Sequence, residues 1–188
     1  CWSIMIQANN TISDIFHDEY SQKRKCYVKW KETAVESSDA ALIVDLATCV
    51  SVMLAGIDSN GQVWMGLNHL FKCRENDSDV SLEHISEIRD ILVNDKKCTK
   101  TACLGVFGAG YKENSLSSKI ARSNIITSLE SLSLFDYSVE LFLTGYQQNI
   151  SAFYSSQKES FFIKNTNIET KESNYYMISA EDIFKDAC

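Results

Sequence analysis

Two residues whose types can together perform acyl-transfer chemistry stand at the two ends of one predicted β-hairpin. Cys49 precedes the apolar run 50–57, and His69 ends the returning run 62–69. The segment between these runs, Asp-Ser-Asn-Gly, is a strong turn signal because Asn-Gly tolerates positive φ. A hairpin with its turn there brings the start of its first strand beside the end of its second. Cys49 and His69 are therefore predicted neighbours.

A cysteine beside a histidine is the pattern of a thiol nucleophile. The imidazole lowers the thiol pKa and transfers protons, while the thiolate attacks a carbonyl carbon. A third group then orients the imidazole. Asp45, at the end of the preceding predicted strand, is the first candidate for that role, and Thr48 is a weaker alternative. From the hairpin alone, the alternative stays open that Cys49 is buried filler and His69 a surface residue.

The remaining candidates for chemistry predict neither a metal site nor a cofactor. His17 lies in a polar segment and His84 early in a predicted helix, and neither has a metal-ligand partner at useful spacing. Gly108 and Gly110 follow a predicted strand without the Gly-Lys-Ser/Thr of a phosphate loop. We interpret them as a turn, or as a place where a substrate backbone approaches closely.

Length and composition indicate one domain of ordinary globular type. The chain has 188 residues, of which 45% are hydrophobic and 23% charged. It has no apolar run of about 18 residues and no signal-peptide pattern, so we expect no membrane insertion. A net charge of −7 without a basic patch argues against nucleic-acid binding. Seven scattered cysteines without a Cys-x-x-Cys pair predict reduced thiols in a cytosolic compartment.

The predicted elements that must position Cys49 and His69 follow one another along the chain as strands, a hairpin, a helix, a strand, a helix, a strand and a final hairpin. Apolar residues at a 3.6-residue period predict the helices 81–93 and 118–132. This order predicts an α/β fold, an α+β sandwich with two main helices packed on a mixed sheet. The predicted strands are 26–31, 41–44, 50–57, 62–69, 102–107, 139–143, 150–154 and 160–164.

Several segments resemble the chemotaxis receptor glutamine deamidase family, CheD. Residues 46–52, Leu-Ala-Thr-Cys-Val-Ser-Val, resemble that family's Leu-Gly-Ser-Cys-Val-x-Val motif, and residues 66–71, Gly-Leu-Asn-His-Leu-Phe, are similar to the segment with its catalytic histidine. Further similar segments follow in the family's order at 106–110, 120–125 and 144–146. The resemblance covers about residues 27–165. It implies a CheD-like deamidase domain at 26–165. Outside it we expect a lead-in at 1–25, helical or loosely packed, and a tail at 166–188 that docks, with one helix at 180–186, or stays mobile.

The resemblance implies a hydrolase without a cofactor. Cys49 would attack the side-chain carboxamide of a protein glutamine, and His69 would act as general base and then acid. The same fold serves toxins of the cytotoxic necrotizing factor type. The expected partner is therefore a substrate protein, either a host protein met by a secreted bacterial effector in the host cytosol or a bacterial chemoreceptor.

Three departures from the family pattern leave alternatives open. Ala47-Thr48 replaces Gly-Ser before the cysteine, and Gly145-Tyr146 replaces a Gly-Gly loop. The family's supporting threonine has no clear counterpart, which leaves the third role between Asp45 and Thr48. The extra ends favour the effector. A chemoreceptor deamidase, a silent binding module on the same fold and a thiol peptidase remain the alternatives.

Overall fold

The computed structural model describes residues 6–7, 11–71, 80–111 and 115–185. The predictions for Cys1, Cys73 and Cys188 lie outside the described residues. In chain order the described elements are β1 (Ile6–Gln7), α1 (Thr11–Tyr20), β2 (Arg24–Tyr27), β3 (Thr33–Glu36), β4 (Ala40–Leu46), β5 (Val50–Asp58), β6 (Val63–Asn68), α2 (Val80–Asp90), a π-helical turn (Ile91–Asp95), β7 (Cys98–Ala109), α3 (Leu116–Leu134), β8 (Leu141–Gly145), β9 (Gln148–Ser155), β10 (Ser160–Asn167), β11 (Ser173–Ser179) and α4 (Ala180–Phe184).

The strands form two mixed sheets that face each other. The six-stranded sheet has the order β1-β11-β10-β9-β4-β2, with β2 and β4 parallel. The five-stranded sheet has the order β3-β6-β5-β7-β8, with β7 and β8 parallel. Helix α1 packs on the outer face of the first sheet, while α2 and α3 pack on the outer face of the second. The predicted α+β sandwich is confirmed.

Strand β5 shows how the sequence pattern builds these layers. Met53 and Ala55 belong to the core cluster between the sheets, whereas Val52 and Leu54 belong to the cluster under α2 and α3. Successive side chains of a strand point to opposite faces, so a strand covered on both faces needs an uninterrupted apolar run. Cys49, just before this strand, packs against the cluster between the sheets.

Two local devices fix the helices on the five-stranded sheet. A Cβ atom on Gly66 of β6 would lie 2.3 Å from Cγ2 of Ile88, so the glycine lets α2 approach the sheet closely. Helix α3 begins at Ser115, whose side chain accepts a hydrogen bond from the N–H of Ser118 in a reciprocal capping box. Such a cap contributes about 1 kcal/mol.

The sequence located most elements but misplaced two segments. The predicted strand 26–31 is wrong beyond Tyr27, because β2 ends there and a loop over residues 28–32 follows, with Lys31 at φ 65°. The polar segment expected as a tail contributes β11, which pairs along its length with β10. The C-terminal helix is confirmed over Ala180–Phe184.

Candidate active site

A single backbone bridge joins Val50, the first residue of β5, to Leu70, two residues beyond the end of β6. The N–H of Val50 donates to the carbonyl of Leu70 at 3.2 Å, and the N–H of Leu70 donates to the carbonyl of Val50 at 2.8 Å. Cys49 and His69 each lie one residue before a member of this bridge, and both are half-buried. The bridge therefore brings the two residues to the same end of the hairpin, one on each of its two arms.

Asn68 interrupts the β5–β6 ladder just before the histidine. Its Oδ1 accepts the N–H of Val52 at 2.7 Å, and the hydroxyl of Ser51 donates to its carbonyl. Asn68 is fully buried, and its Nδ2 finds no hydrogen-bond partner among the described residues. The side chain thus replaces the backbone contact that the ladder would make here. His69, the next residue, bonds to another loop instead.

The 28–32 loop holds His69 through backbone groups alone. The N–H of His69 donates to the carbonyl of Glu32 at 3.1 Å, and its carbonyl accepts the N–H of Lys31 at 3.0 Å. The ring Nδ1 lies 3.3 Å from the carbonyl oxygen of Val28, a buried residue. A carbonyl only accepts, so Nδ1 carries the proton in the neutral ring and Nε2 keeps the lone pair.

The surroundings of His69 favour its neutral form. Burial lowers the pKa of this imidazole, while the Val28 carbonyl and the negative charge of Asp45 act in the opposite direction with smaller effect. The pKa therefore lies below its usual value of about 6.5. A neutral imidazole at neutral pH is the form that a general base requires.

For neither of the two residues predicted to orient His69, Asp45 and Thr48, does the described structure give a hydrogen bond to the imidazole. Asp45 is exposed and accepts a hydrogen bond from Nδ2 of Asn149 at 2.7 Å, so it acts on His69 through charge. Thr48 is half-buried in the bend before Cys49. The acceptor that contacts the ring is the Val28 carbonyl. Sequence reasoning missed Val28 because a backbone carbonyl leaves no residue-type signal.

Cys49 is fixed from the other side by the end of β7. The N–H of Ala109 donates to the carbonyl of Cys49 at 2.8 Å. Gly108 has φ +84°, and a Cβ atom there would lie 2.3 Å from the Cys49 oxygen. The close approach that this glycine permits is therefore made by the backbone of Cys49 itself.

Gln148 joins this strand end to the opposite sheet, and no sequence signal marked it. Its Oε1 accepts the N–H of Gly108 at 2.9 Å, and its Nε2 donates to Oδ1 of Asn165 at 3.2 Å. The side chain is 5% exposed. A buried amide with both ends bonded resists movement, so Gln148 helps to fix the backbone that holds Cys49.

No protein-family model matches this chain, and no curated protein matches its sequence.

The other described cysteines have unreactive surroundings. Burial raises the pKa of Cys98 to about 11 and that of Cys103 to about 12. Burial also raises the pKa of Cys26. Thiols with raised pKa values form little thiolate and react slowly. None of the four cysteines in the described ranges forms a disulfide with another of them.

The described ranges contain neither a metal-ligand cluster nor a membrane-spanning helix. No group of three or more His, Cys, Asp or Glu side chains within the described ranges is arranged to hold a metal ion. None of the helices in that same part of the chain combines the length and apolarity needed to span a bilayer.

Proposed function

We propose that this chain is a protein-glutamine deamidase in which Cys49 is the nucleophile and His69 the general base and acid. The observation that carries the proposal is the Val50–Leu70 bridge, which joins the residue after Cys49 to the residue after His69 at one end of the hairpin. The Val28 carbonyl on Nδ1 of His69 supports it, because it leaves the lone pair of Nε2 available to take a proton. The resemblance to the CheD family supports glutamine as the substrate side chain.

The reaction follows from these roles. Nε2 of His69 takes the thiol proton, and the Cys49 sulfur forms a bond to the side-chain carbonyl carbon of glutamine. The imidazolium then returns a proton to the departing nitrogen, so that ammonia leaves and a thioester remains. His69 next removes a proton from water, whose oxygen attacks the thioester. Glutamate and the free thiol are released, and the net reaction consumes one water for each ammonia.

The half-buried thiol suits a long substrate side chain. Cys49 packs against the core between the sheets rather than standing on the surface. A glutamine carboxamide at the end of two methylenes can reach such an atom while its backbone stays outside. A scissile peptide bond would have to enter with both flanking chain segments. The position of the thiol therefore favours side-chain over backbone hydrolysis.

Ammonia release from carbobenzoxy-Gln-Gly and from casein tests the proposal directly. The chain is expected to release ammonia and to raise the mass of intact casein by the increment of deamidation. Cys49→Ala and His69→Ala are each expected to reduce the rate by about a thousandfold or more. Cys26→Ala is the matched control, since Cys26 is also half-buried but has a raised pKa.

Alkylation by limiting iodoacetamide at mildly acidic pH, followed by mass spectrometry, measures the reactivity of each cysteine without a substrate. Cys49 is expected to react ahead of the other cysteines, and to slow in the His69→Ala variant. Casein fragments in place of deamidated intact casein would identify a thiol peptidase. Equal, slow alkylation of Cys49 and Cys26 together with no ammonia would remove the catalytic proposal and favour a binding module.

The cellular setting is part of the same proposal. A thiol nucleophile works only while reduced, so we place the activity in a cytosol, either that of a bacterium or that of a host cell entered by a bacterial effector. Incubation in heavy-oxygen water labels each newly formed glutamate. Peptide mapping of labelled host cytosol and of labelled chemoreceptor membranes then shows which target class is modified. The effector assignment expects labelled glutamate in the host cytosol alone.

A further inference from the structure

A polar cleft of about 250 Å³ opens at the end of the sandwich where Cys49 lies. Its walls come from the end of β8, the start of β9, the end of β10 and the start of β11. Every residue that lines it is a glycine or carries a polar side chain. Four of the side chains are carboxamides, those of Gln148, Asn165, Asn167 and Asn174.

The carboxamides occupy positions where strand alternation calls for core residues. On β10, Phe161 and Ile163 face the core between the sheets, and Asn165 and Asn167 continue the same alternating series. A polar side chain at an inward position costs free energy unless its hydrogen bonds are made. Part of this need is met inside the cleft, because Nε2 of Gln148 donates to Asn165 and Asn167 accepts the N–H groups of Glu169 and Thr170.

The neighbouring strands repeat this pattern in register. On β11, Ile178 and Tyr176 pack in or against the core, and Asn174 is next in the series. Asn174 pairs with Asn165 of β10, and Asn167 of β10 pairs with Gln148 of β9. The amides therefore begin at Asn165 on β10 and Asn174 on β11, whereas on β9 the core continues through Ile150 and Gln148 follows, opposite Asn167.

The cleft is joined to the backbone that holds Cys49. Gln148, one wall of the cleft, accepts the N–H of Gly108, and the next residue, Ala109, donates to the Cys49 carbonyl. A Cβ atom on Gly110 would lie 1.9 Å from the backbone of Gly145, so the end of β7 packs directly on another wall. The end of β7 therefore contacts both the wall of the cleft and the backbone of Cys49.

The charge of the cleft selects the kind of side chain that fits. Glu172 is the charged member of the lining, and no lysine or arginine belongs to it. In the described part of the chain, the recorded ion pairs join Arg24 to Glu36 and Asp39, and none of them includes Glu172. A carboxylate beside amide oxygens attracts a cation with hydrogen-bond donors. The volume admits one long side chain.

We propose that this cleft binds a lysine or arginine side chain of the substrate protein, close in sequence to the glutamine presented to Cys49. The proposal rests on the proposed deamidation. The substrate is thus a protein segment that combines a glutamine with a basic residue. The net charge of −7 agrees with a basic partner.

Acetylated heptapeptides with a central glutamine test the cleft. Lysine, alanine or glutamate is placed at each flanking position in turn, and kcat/KM is measured by ammonia release at physiological ionic strength. The chain is expected to prefer lysine over alanine about fivefold at one or two positions, mainly through KM. Glu172→Lys is expected to reverse the preference toward glutamate. Glu169→Lys is the matched control, because Glu169 is exposed in the same turn but does not line the cleft.

The outcomes separate the cleft from the catalytic proposal. Ammonia release without a flanking preference, or the same reversal in Glu169→Lys as in Glu172→Lys, overturns the subsite and leaves the deamidase. If no peptide releases ammonia, the same peptides are titrated into the full chain carrying Cys49→Ala. If only the lysine peptides shift the side-chain amide NMR signals of Asn165 and Asn174, the result supports the subsite and contradicts the deamidase proposal. Unchanged signals overturn the subsite too.

Discussion

His69 is oriented by backbone groups of the 28–32 loop, whereas the carboxylate nearby acts on it only through charge. The Val28 carbonyl contacts Nδ1, and the Lys31 and Glu32 backbones hold the main chain of the histidine. This arrangement separates two properties that one aspartate often combines in a triad. The loop orients the His69 ring, whereas burial and the charge of Asp45 set the protonation equilibrium of that ring.

Asp45→Asn is therefore expected to change the pH dependence more than the maximal rate. The charge of Asp45 raises the pKa of His69, against the larger lowering by burial. Without that charge the pKa falls further, so the base stays neutral to lower pH. The acid limb of kcat/KM is expected to move to lower pH, with the plateau within about twofold. Asp39→Asn is the control. A plateau reduced about a hundredfold or more would mean instead that Asp45 orients the ring.

Lys31 provides a test of the loop conformation. Its φ of 65° is left-handed, a conformation that β-branched residues avoid. Lys31→Val is expected to destabilise the chain by about 1–2 kcal/mol and to slow ammonia release, since the loop holds His69. Lys31→Gly is expected to keep both properties near those of the unsubstituted chain. Urea unfolding measures the free energies, and Lys29→Val is the exposed control.

Equal losses of unfolding free energy in Lys31→Val and Lys29→Val would show that the loss comes from the β-branched side chain and not from the left-handed backbone at position 31.

At the scale of elements, the hairpin was predictable and the loop that completes the site was not. Asn-Gly fixed the turn between β5 and β6, and the turn fixed which ends meet. Residues 26–31 alternate like a strand, yet residues 28–31 lie in a loop in which Lys31 has a positive φ. A positive φ is predictable from sequence mainly at glycine, so a lysine gives no warning of it. Strand β11 was missed because its partner, β10, supplies the pairing that a polar segment needs.

The β7 end offers a controlled substitution. Gly108→Ala adds a methyl group 2.3 Å from the Cys49 carbonyl at a φ of +84°. Gly61→Ala has nearly the same φ, +81°, with nothing within 4 Å of the added atom. Both are expected to lose about 1–2 kcal/mol of unfolding free energy to backbone strain. Only Gly108→Ala is expected to lose more than this and to slow alkylation of Cys49.

Urea unfolding and iodoacetamide rates measure the difference between these two glycine variants. If the variants match in both measurements, the Gly108 contact has no bearing on the thiol.

At the scale of the whole molecule, helix α1 belongs to the same folded unit as the site. Phe16 is fully buried with its ring tilted against that of Phe153, and both belong to the core cluster on the outer face of the six-stranded sheet. The part of the chain expected as a lead-in thus shares a core with the outer face of the six-stranded sheet. Composition could not reveal this, because α1 is polar apart from one short apolar stripe.

Phe16→Ala is expected to destabilise the whole molecule by about 3–5 kcal/mol. Far-ultraviolet circular dichroism and tryptophan fluorescence are expected to report one coincident urea transition at lower midpoint. Phe142→Ala, at a side chain that is 51% exposed, is the control and is expected to change the midpoint little. Two separate transitions in Phe16→Ala would show that α1 unfolds independently of the sandwich.

The connection of the site to both sheets has a consequence for the newly made chain. Cys49 and His69 flank a bridge at the end of the five-stranded sheet, but Gln148 and Val28 reach them from β9 and from the loop after β2 of the other sheet. Before the two sheets dock, the imidazole lacks its Val28 contact and the thiol has no aligned base. In the proposed mechanism the thiol therefore gains its base only on completion of folding, so a chain whose two sheets have not yet docked carries Cys49 without that base.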